Sequence, residues 1–165
     1  VHTSRSRLLS QWYSFAAAAT HTHKMSAAAK QQRAEVAKVK MKEGFAHLKT
    51  GIFKWSKDYM LAGPAFWDAG MGFAYSGLPI EGQQAYLEAA KCYDCEGVTH
   101  KAASCYQQAA TLAEKQGDLN TAAKWLDEAA DRSMLGSSPD AGKAAQTLQK
   151  AALMVNIYIF MLSYD

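Results

Sequence analysis

One phrase recurs five times between Ala62 and Ala152: two small residues, two of any kind, a bulky residue, two of any kind, two small residues. It reads Ala62-Gly63…Phe66…Ala69-Gly70, Gly82-Gln83…Tyr86…Ala89-Ala90, Ala102-Ala103…Tyr106…Ala109-Ala110, Ala122-Ala123…Leu126…Ala129-Ala130 and Ala144-Ala145…Leu148…Ala151-Ala152. Only Gln83 breaks the pattern. The copies begin at 62, 82, 102, 122 and 144, so the steps are 20, 20, 20 and 22 residues. A fixed period of this kind marks stacked repeats. With three or four residues per turn, positions 1, 5 and 8 or 9 lie near one face of a helix. Small residues there admit a neighbouring helix closely, and the bulky residue fills the space between them. Alanine is also the best helix former. Each copy therefore predicts one helix, and each step a helix plus its turn. Two steps give a helix pair of about 40 residues, within the range of TPR-like and HEAT-like solenoids. A plain bundle has no need of a constant step. The expected fold is all-α, a TPR-like solenoid of antiparallel helix pairs, with Phe66, Tyr86, Tyr106, Leu126 and Leu148 as the repeat-packing residues.

Turn residues divide the chain between the copies. A first helix is expected over residues 26–49, with Val36, Val39, Phe45 and Leu48 at helical spacing as its apolar face. Asp58 is a plausible N-cap for a helix reaching Tyr75, with Pro64 early enough in it to be tolerated. Ser76-Gly77-Leu78-Pro79 is a turn, and the next helix runs from Ile80 to Cys95. Gly97 ends it, and Thr99 is placed to cap a helix reaching Gln116. Gly117-Asp118 is followed by a helix from Leu119 to Leu135. Gly136-Ser137-Ser138-Pro139 separates it from a last helix beginning near Asp140. The domain organisation read from this is a leader at residues 1–24, a repeat domain at 25–152 and an atypical apolar tail at 153–165. The leader holds Ser, Arg, His and Ala but no acid. It reads as sequence ahead of a start at Met25 or as a transit-like segment. The tail, from Leu153 to Leu162, is almost wholly apolar and shows no helical period. It is either a buried continuation of the last helix or foreign to the domain.

Charge is distributed unevenly. The net charge of +3 divides into +9 for residues 1–57 and −6 for the remainder. A basic front on an acidic array points to contact with a negative surface: anionic lipid, an acidic protein or nucleic acid. Three cysteines make no disulfide framework and favour a reducing compartment. No stretch reaches the 18 or so apolar residues of a membrane span. There is no Gly-rich phosphate loop, no His-Glu-x-x-His and no nucleophile beside a base, so the chain reads as a non-enzyme without a cofactor.

Between the first two helices lies Leu48-Lys49-Thr50-Gly51-Ile52-Phe53-Lys54-Trp55-Ser56-Lys57-Asp58-Tyr59. Ile52, Phe53 and Trp55 among Lys49, Lys54 and Lys57 fit a packed loop or a membrane-dipping tip, with apolar wedges and cations for acidic headgroups. This phrase, with the Ala-rich helices after it and His100-Lys101-Ala102-Ala103…Tyr106, resembles the soluble NSF attachment protein (SNAP) family, and within it the gamma-SNAP type. The resemblance covers about Ala34 to Ala152. It implies a right-handed α-solenoid and a cytoplasmic, peripheral membrane adaptor. Such an adaptor binds SNARE complexes and recruits the ATPase NSF for their disassembly in vesicle transport. It implies a membrane-attachment loop at Ile52, Phe53, Lys54, Trp55 and Lys57, and no nucleic-acid partner. The family's NSF-stimulating C-terminal part has no counterpart here.

A rival motif is Cys92-x2-Cys95-x4-His100-x4-Cys105, the spacing of a zinc knuckle. Such knuckles bind single-stranded nucleic acid. The glycines usual in that motif are replaced by Glu96 and Thr99, and the 20-residue register runs straight through it. Buried thiols are the expectation, with zinc-dependent nucleic-acid binding and a generic TPR-like peptide clamp as the alternatives.

Overall fold

The structure, a computed structural model, describes residues 26–50, 56–135 and 139–163. Among these residues it is wholly helical. The elements are α1 (Ala27–Leu48), α2 (Tyr59–Ser76), α3 (Pro79–Cys95), α4 (Thr99–Lys115), α5 (Leu119–Met134) and α6 (Ala141–Leu162). The helices after α1 start at 59, 79, 99, 119 and 141, repeating the step of the sequence phrase. The chain forms an α-solenoid of antiparallel helix pairs, in which each helix packs mainly on its neighbours in sequence. Side chains also join alternate helices into two layers. Arg132 Nε on α5 donates to Asp94 on α3 at 3.0 and 3.1 Å. Gln107 on α4 donates to Thr147 on α6 at 3.2 Å, and Lys150 on α6 pairs with Glu114 on α4 at 2.9 Å.

The turns repeat as faithfully as the helices. Gly77, Gly97 and Gly117 have φ of 80°, 69° and 81°, a backbone region that glycine enters without steric cost. At the first of them the Gly77 N–H donates to the Ala74 carbonyl (3.3 Å) and the Leu78 N–H to the Phe73 carbonyl (3.0 Å). The same pair of bonds closes α3 through Gly97 and Val98, and α4 through Gly117 and Asp118. This is the Schellman arrangement. The residue after each glycine is also the N-cap of the next helix, so the chain reverses within two or three residues. Asp58, Asp118 and Asp140 cap α2, α5 and α6 by accepting backbone N–H bonds from Leu61, Thr121 and Lys143 at 3.1, 3.0 and 2.8 Å. Thr99 does not cap α4. Val98 holds that position, and Thr99 Oγ1 instead donates to the Leu135 carbonyl at 3.0 Å, tying the start of α4 to the end of α5.

The core is built mainly of alanine, with aromatic rings seated on small residues of the preceding helix. Phe66, Tyr86, Tyr106 and Leu126 are buried. The Phe66 ring lies where a Cβ on Gly44 of α1 would sit, and the Tyr86 ring where one on Gly70 of α2 would sit. Two expectations are corrected. Leu148 is 48% exposed, because α6 has a packed neighbour on one side only. Its buried stripe is Ala144, Thr147, Ala151 and Met154. On α1 the buried residues are Ala34, Ala37 and Gly44, whereas Val36, Val39 and Phe45 are exposed. There α2 approaches so closely that a Cβ on Gly72 would meet the Ala37 Cβ at 2.7 Å, and larger side chains have no room. The apolar tail continues α6 to Leu162 without a break. It is not buried as a continuous end, since Leu153, Val155, Ile157, Ile159 and Phe160 are exposed.

Candidate functional site

The connection from α1 to α2 is closed at its base. The Asp58 N–H donates to the His47 carbonyl at 3.1 Å, and the Lys49 N–H to the Ala46 carbonyl at 3.3 Å. The end of α1 and the N-cap of α2 therefore meet at one point. Lys49 and Lys57 are exposed there. The predicted wedge residues Ile52, Phe53, Lys54 and Trp55 lie outside the described residues. At the loop's base, Met60 and Leu61 in the first turn of α2 are exposed, at 63% and 53%. Sequence reasoning passed over these two. Their signal was a position off the Ala62-Phe66-Ala69 face. Exposed apolar side chains close to lysines can enter the headgroup region of an anionic bilayer while the cations stay at its surface.

Each lateral face of the solenoid carries a groove. Between α2 and α4, Trp67 stands edge-on to Tyr86 (centroids 5.1 Å apart) and separates two hollows of about 270 and 330 Å³. One is bordered by Lys101 and Ser104, the other by Gln108, Thr111 and Lys115. Among the described residues no carboxylate lines either hollow. Between α3 and α5 a hollow of about 320 Å³ is lined by Gln84, Leu87, Glu88, Lys91, Tyr106 and Trp125, so its charges are mixed. Trp125 stacks on Tyr106 at 5.9 Å, and its buried Nε1–H has no hydrogen-bond partner among the described residues. The Arg132 guanidinium lies over the Tyr106 ring, 5.5 Å from its centroid. Burial, with the Asp94 charge adding to it, pushes the Tyr106 hydroxyl up to about 12, so the ring stays neutral.

The knuckle residues are not gathered. Cys92 and Cys95 stand on the last turns of α3, and Cys105 lies within α4. Cys92 and Cys105 are buried and Cys95 is exposed. Among the described residues no group of three or more His, Cys, Asp or Glu side chains is placed to hold a metal ion. Burial pushes the Cys92 thiol up to about 11 and the Cys105 thiol up to about 12, as expected of small packing groups in an apolar interior. Among the described residues no helix is long and apolar enough to cross a membrane.

The sequence pattern of the family described as "Soluble NSF attachment protein, SNAP" matches residues 14–156. The match starts within the stretch read as a leader and ends beyond Ala152. No curated protein matches the chain.

Proposed function

This chain belongs to the SNAP family, and from that premise we propose that it is a non-enzymatic adaptor of the gamma-SNAP type, linking SNARE bundles to NSF at a membrane surface. The family match over residues 14–156 carries the reading. The loop phrase Lys49 to Tyr59 supports the gamma assignment. In this proposal the cationic α2/α4 groove, with Trp67 between Lys101 and Lys115, takes acidic side chains of a helical bundle. Ile52, Phe53 and Trp55, with Met60 and Leu61 at their base, contact lipid, and Lys49, Lys54 and Lys57 contact acidic headgroups. The location that follows is the cytoplasmic face of a membrane, held peripherally.

Two measurements separate the parts. An assembled SNARE bundle on beads should retain the chain, and Lys101→Glu with Lys115→Glu should reduce retention about tenfold, or about 1.4 kcal/mol. No retention of the unaltered chain would reject the adaptor reading. Flotation with anionic liposomes should carry the chain upward and leave an Ile52→Ser, Phe53→Ser, Trp55→Ser variant behind. Equal flotation would reject the loop as the lipid contact while leaving the adaptor reading standing.

A further inference from the structure

Helix α2 carries an apolar ridge that α4 does not repeat. Its members are Met60, Pro64, Trp67, Met71 and Tyr75, spaced 4, 3, 4 and 4 residues apart and so on one side of the helix. Met60, Met71 and Tyr75 are 63%, 37% and 64% exposed, Pro64 is exposed and Trp67 is half-buried. Helices α2 and α4 start at 59 and 99. The equivalent positions of α4 are therefore His100, Ser104, Gln107, Thr111 and Lys115, all of them polar. The ridge is distinct from the packing face of the repeated phrase, whose Ala62, Phe66 and Ala69 are buried. It borders the α2/α4 groove, where Trp67, Met71 and Tyr75 share a hollow with Gln108, Thr111 and Lys115. Both walls of that groove belong to the chain, so the exposure of the ridge does not wait on a further helix of the solenoid. Exposed apolar side chains in a continuous row mark a contact surface.

The groove's shape and charge say what would cover this row. The two hollows beside Trp67 are centred about six to nine residues apart along the walls, or roughly 10–13 Å at 1.5 Å per residue. Side chains seven or eight residues apart on one helix have that reach, whereas a flat bilayer cannot fill two separate hollows. Lys101 borders one hollow and Lys115 the other. Asp68, the acid of α2, lines neither, and Glu114, the acid of α4, pairs with Lys150 at 2.9 Å. We infer that the groove holds one amphipathic helix of a partner protein, with its apolar stripe on the ridge from Met60 to Tyr75 and a flanking row of acids toward Lys101 and Lys115. Side chains seven residues apart enter the hollows, and a small residue between them faces Trp67. The molecule packs its own helices in this manner, large on small, at Phe66 on Gly44 and Tyr86 on Gly70. Helix-in-groove recognition elsewhere uses the same anchors. The inference rests on the SNARE reading of this groove for the partner's identity alone. It adds that a single helix makes the contact, through an apolar stripe as well as through acids.

The probe is a fluorescein-labelled, lactam-stapled helical peptide of about 18 residues, long enough to span the ridge at 1.5 Å per residue. It carries leucine at i, i+7 and i+11, alanine at i+4, and glutamate along the flanks of that stripe. A second peptide has lysine in place of glutamate. Titrated with the full chain and followed by anisotropy, the glutamate peptide should bind tenfold or more tighter than the lysine peptide. Met71→Gln should weaken it at least fivefold with an unchanged circular dichroism spectrum, and Lys101→Glu with Lys115→Glu should reverse the preference between the peptides. Trp67→Ala should also lose binding, but Trp67 packs on Tyr86, so the exposed Met71 decides the matter if that variant folds poorly. Gln149→Ser on α6, away from the groove, should change nothing. Equal affinity for the two peptides, or binding indifferent to Met71→Gln, overturns the inference. So does liposome flotation weakened by Met71→Gln in a chain that binds neither peptide, which would give the ridge to lipid. A chain that shows the expected peptide pattern but is not retained by an assembled SNARE bundle keeps the inference and rejects the adaptor reading. A chain retained by the bundle whatever stands at position 71, and indifferent to both peptides, rejects the inference alone.

Discussion

In α4 all five positions of the repeated phrase, Ala102, Ala103, Tyr106, Ala109 and Ala110, are buried, whereas in α6 only Ala144 and Ala151 are, and Ala145, Leu148 and Ala152 face outward. The two helices differ in their surroundings more than in their residues. Helix α4 lies between α3 and α5, so close approach is demanded on two sides. Helix α6 meets α5 on one side and touches α4 through the bonds of Thr147 and Lys150. A repeat phrase therefore specifies a capacity for packing, and the number of neighbours decides how much of it is realised. In a solenoid, stability is close to a sum of repeat and nearest-neighbour terms. The same substitution should then cost much more in the interior than at α6.

The largest contrast is expected for large-to-small changes at the centre of the phrase. Phe66 is fully buried, with its ring on Gly44 and edge-on to Phe45 at 4.9 Å. Phe66→Ala should cost about 3–5 kcal/mol, the transfer term plus a cavity that an alanine-rich surround refills poorly. Leu148→Ala, at the equivalent position of α6, should change stability by less than about 0.5 kcal/mol. Urea unfolding followed by circular dichroism measures both. Equal costs would mean that Leu148 is covered in solution.

The next contrast concerns added volume. A Cβ on Gly70 would stand 2.8 Å from the Tyr86 ring, too close without displacing a buried aromatic. On Gly142 of α6 its nearest neighbour would be Asp140 Oδ1 at 3.6 Å, ordinary contact. Gly70→Ala should destabilise by about 1–3 kcal/mol through overpacking. Gly142→Ala should stabilise by about 0.5–1 kcal/mol, because alanine gains helix propensity where nothing obstructs it. A stabilising Gly70→Ala would show that the ring-in-notch packing of α2 and α3 is looser than the geometry here.

This distinction also explains what could be read from the sequence. Among the described residues, helix number, order and limits to within a residue or two were legible, because Gly77, Gly97 and Gly117 recur at the phrase's own period and each needs a left-handed backbone. The buried Phe66, Tyr86, Tyr106 and Leu126 sit where small residues flank them on both sides. The face of α1 was not legible. Hydrophobicity favours Val36, Val39 and Phe45, while the close approach of α2 favours Ala34, Ala37 and Gly44. Leu148 was misread for a related reason, since a phrase cannot state how many neighbours its helix has. Thr99 has a good capping side chain, but the turn through Gly97 and Val98 begins α4 one residue earlier and turns its hydroxyl to Leu135. Of the functional surface, the loop phrase could be seen in the sequence. The grooves beside Trp67 and Trp125 could not, because they join residues from alternate helices.

The smallest contrast lies at the helix starts. Asp118 caps α5 in the interior, and Asp140 caps α6 at the end. Replacing either with alanine should cost about 1 kcal/mol of local helix stability, but the consequences should spread differently. Loss of Asp118 weakens a helix that both α4 and α6 pack against, so hydrogen exchange should rise across α4, α5 and α6. Loss of Asp140 should raise exchange in the first turns of α6 alone. Asp118 adds a dependence on pH. The Thr121 backbone N–H, followed by the Thr121 side chain, holds its carboxyl below the usual aspartate range. The folded state thus favours the anion. The resulting stability is present in full above the unfolded-state value near 3.9 and is lost as the pH falls through the lower folded value. Asp118→Asn keeps an acceptor oxygen for the cap but removes the charge, so its stability relative to the unaltered chain should improve as the pH falls from 5 to 3. A constant difference across that range would mean that the Asp118 charge contributes nothing, and that the cap acts through its hydrogen bond alone.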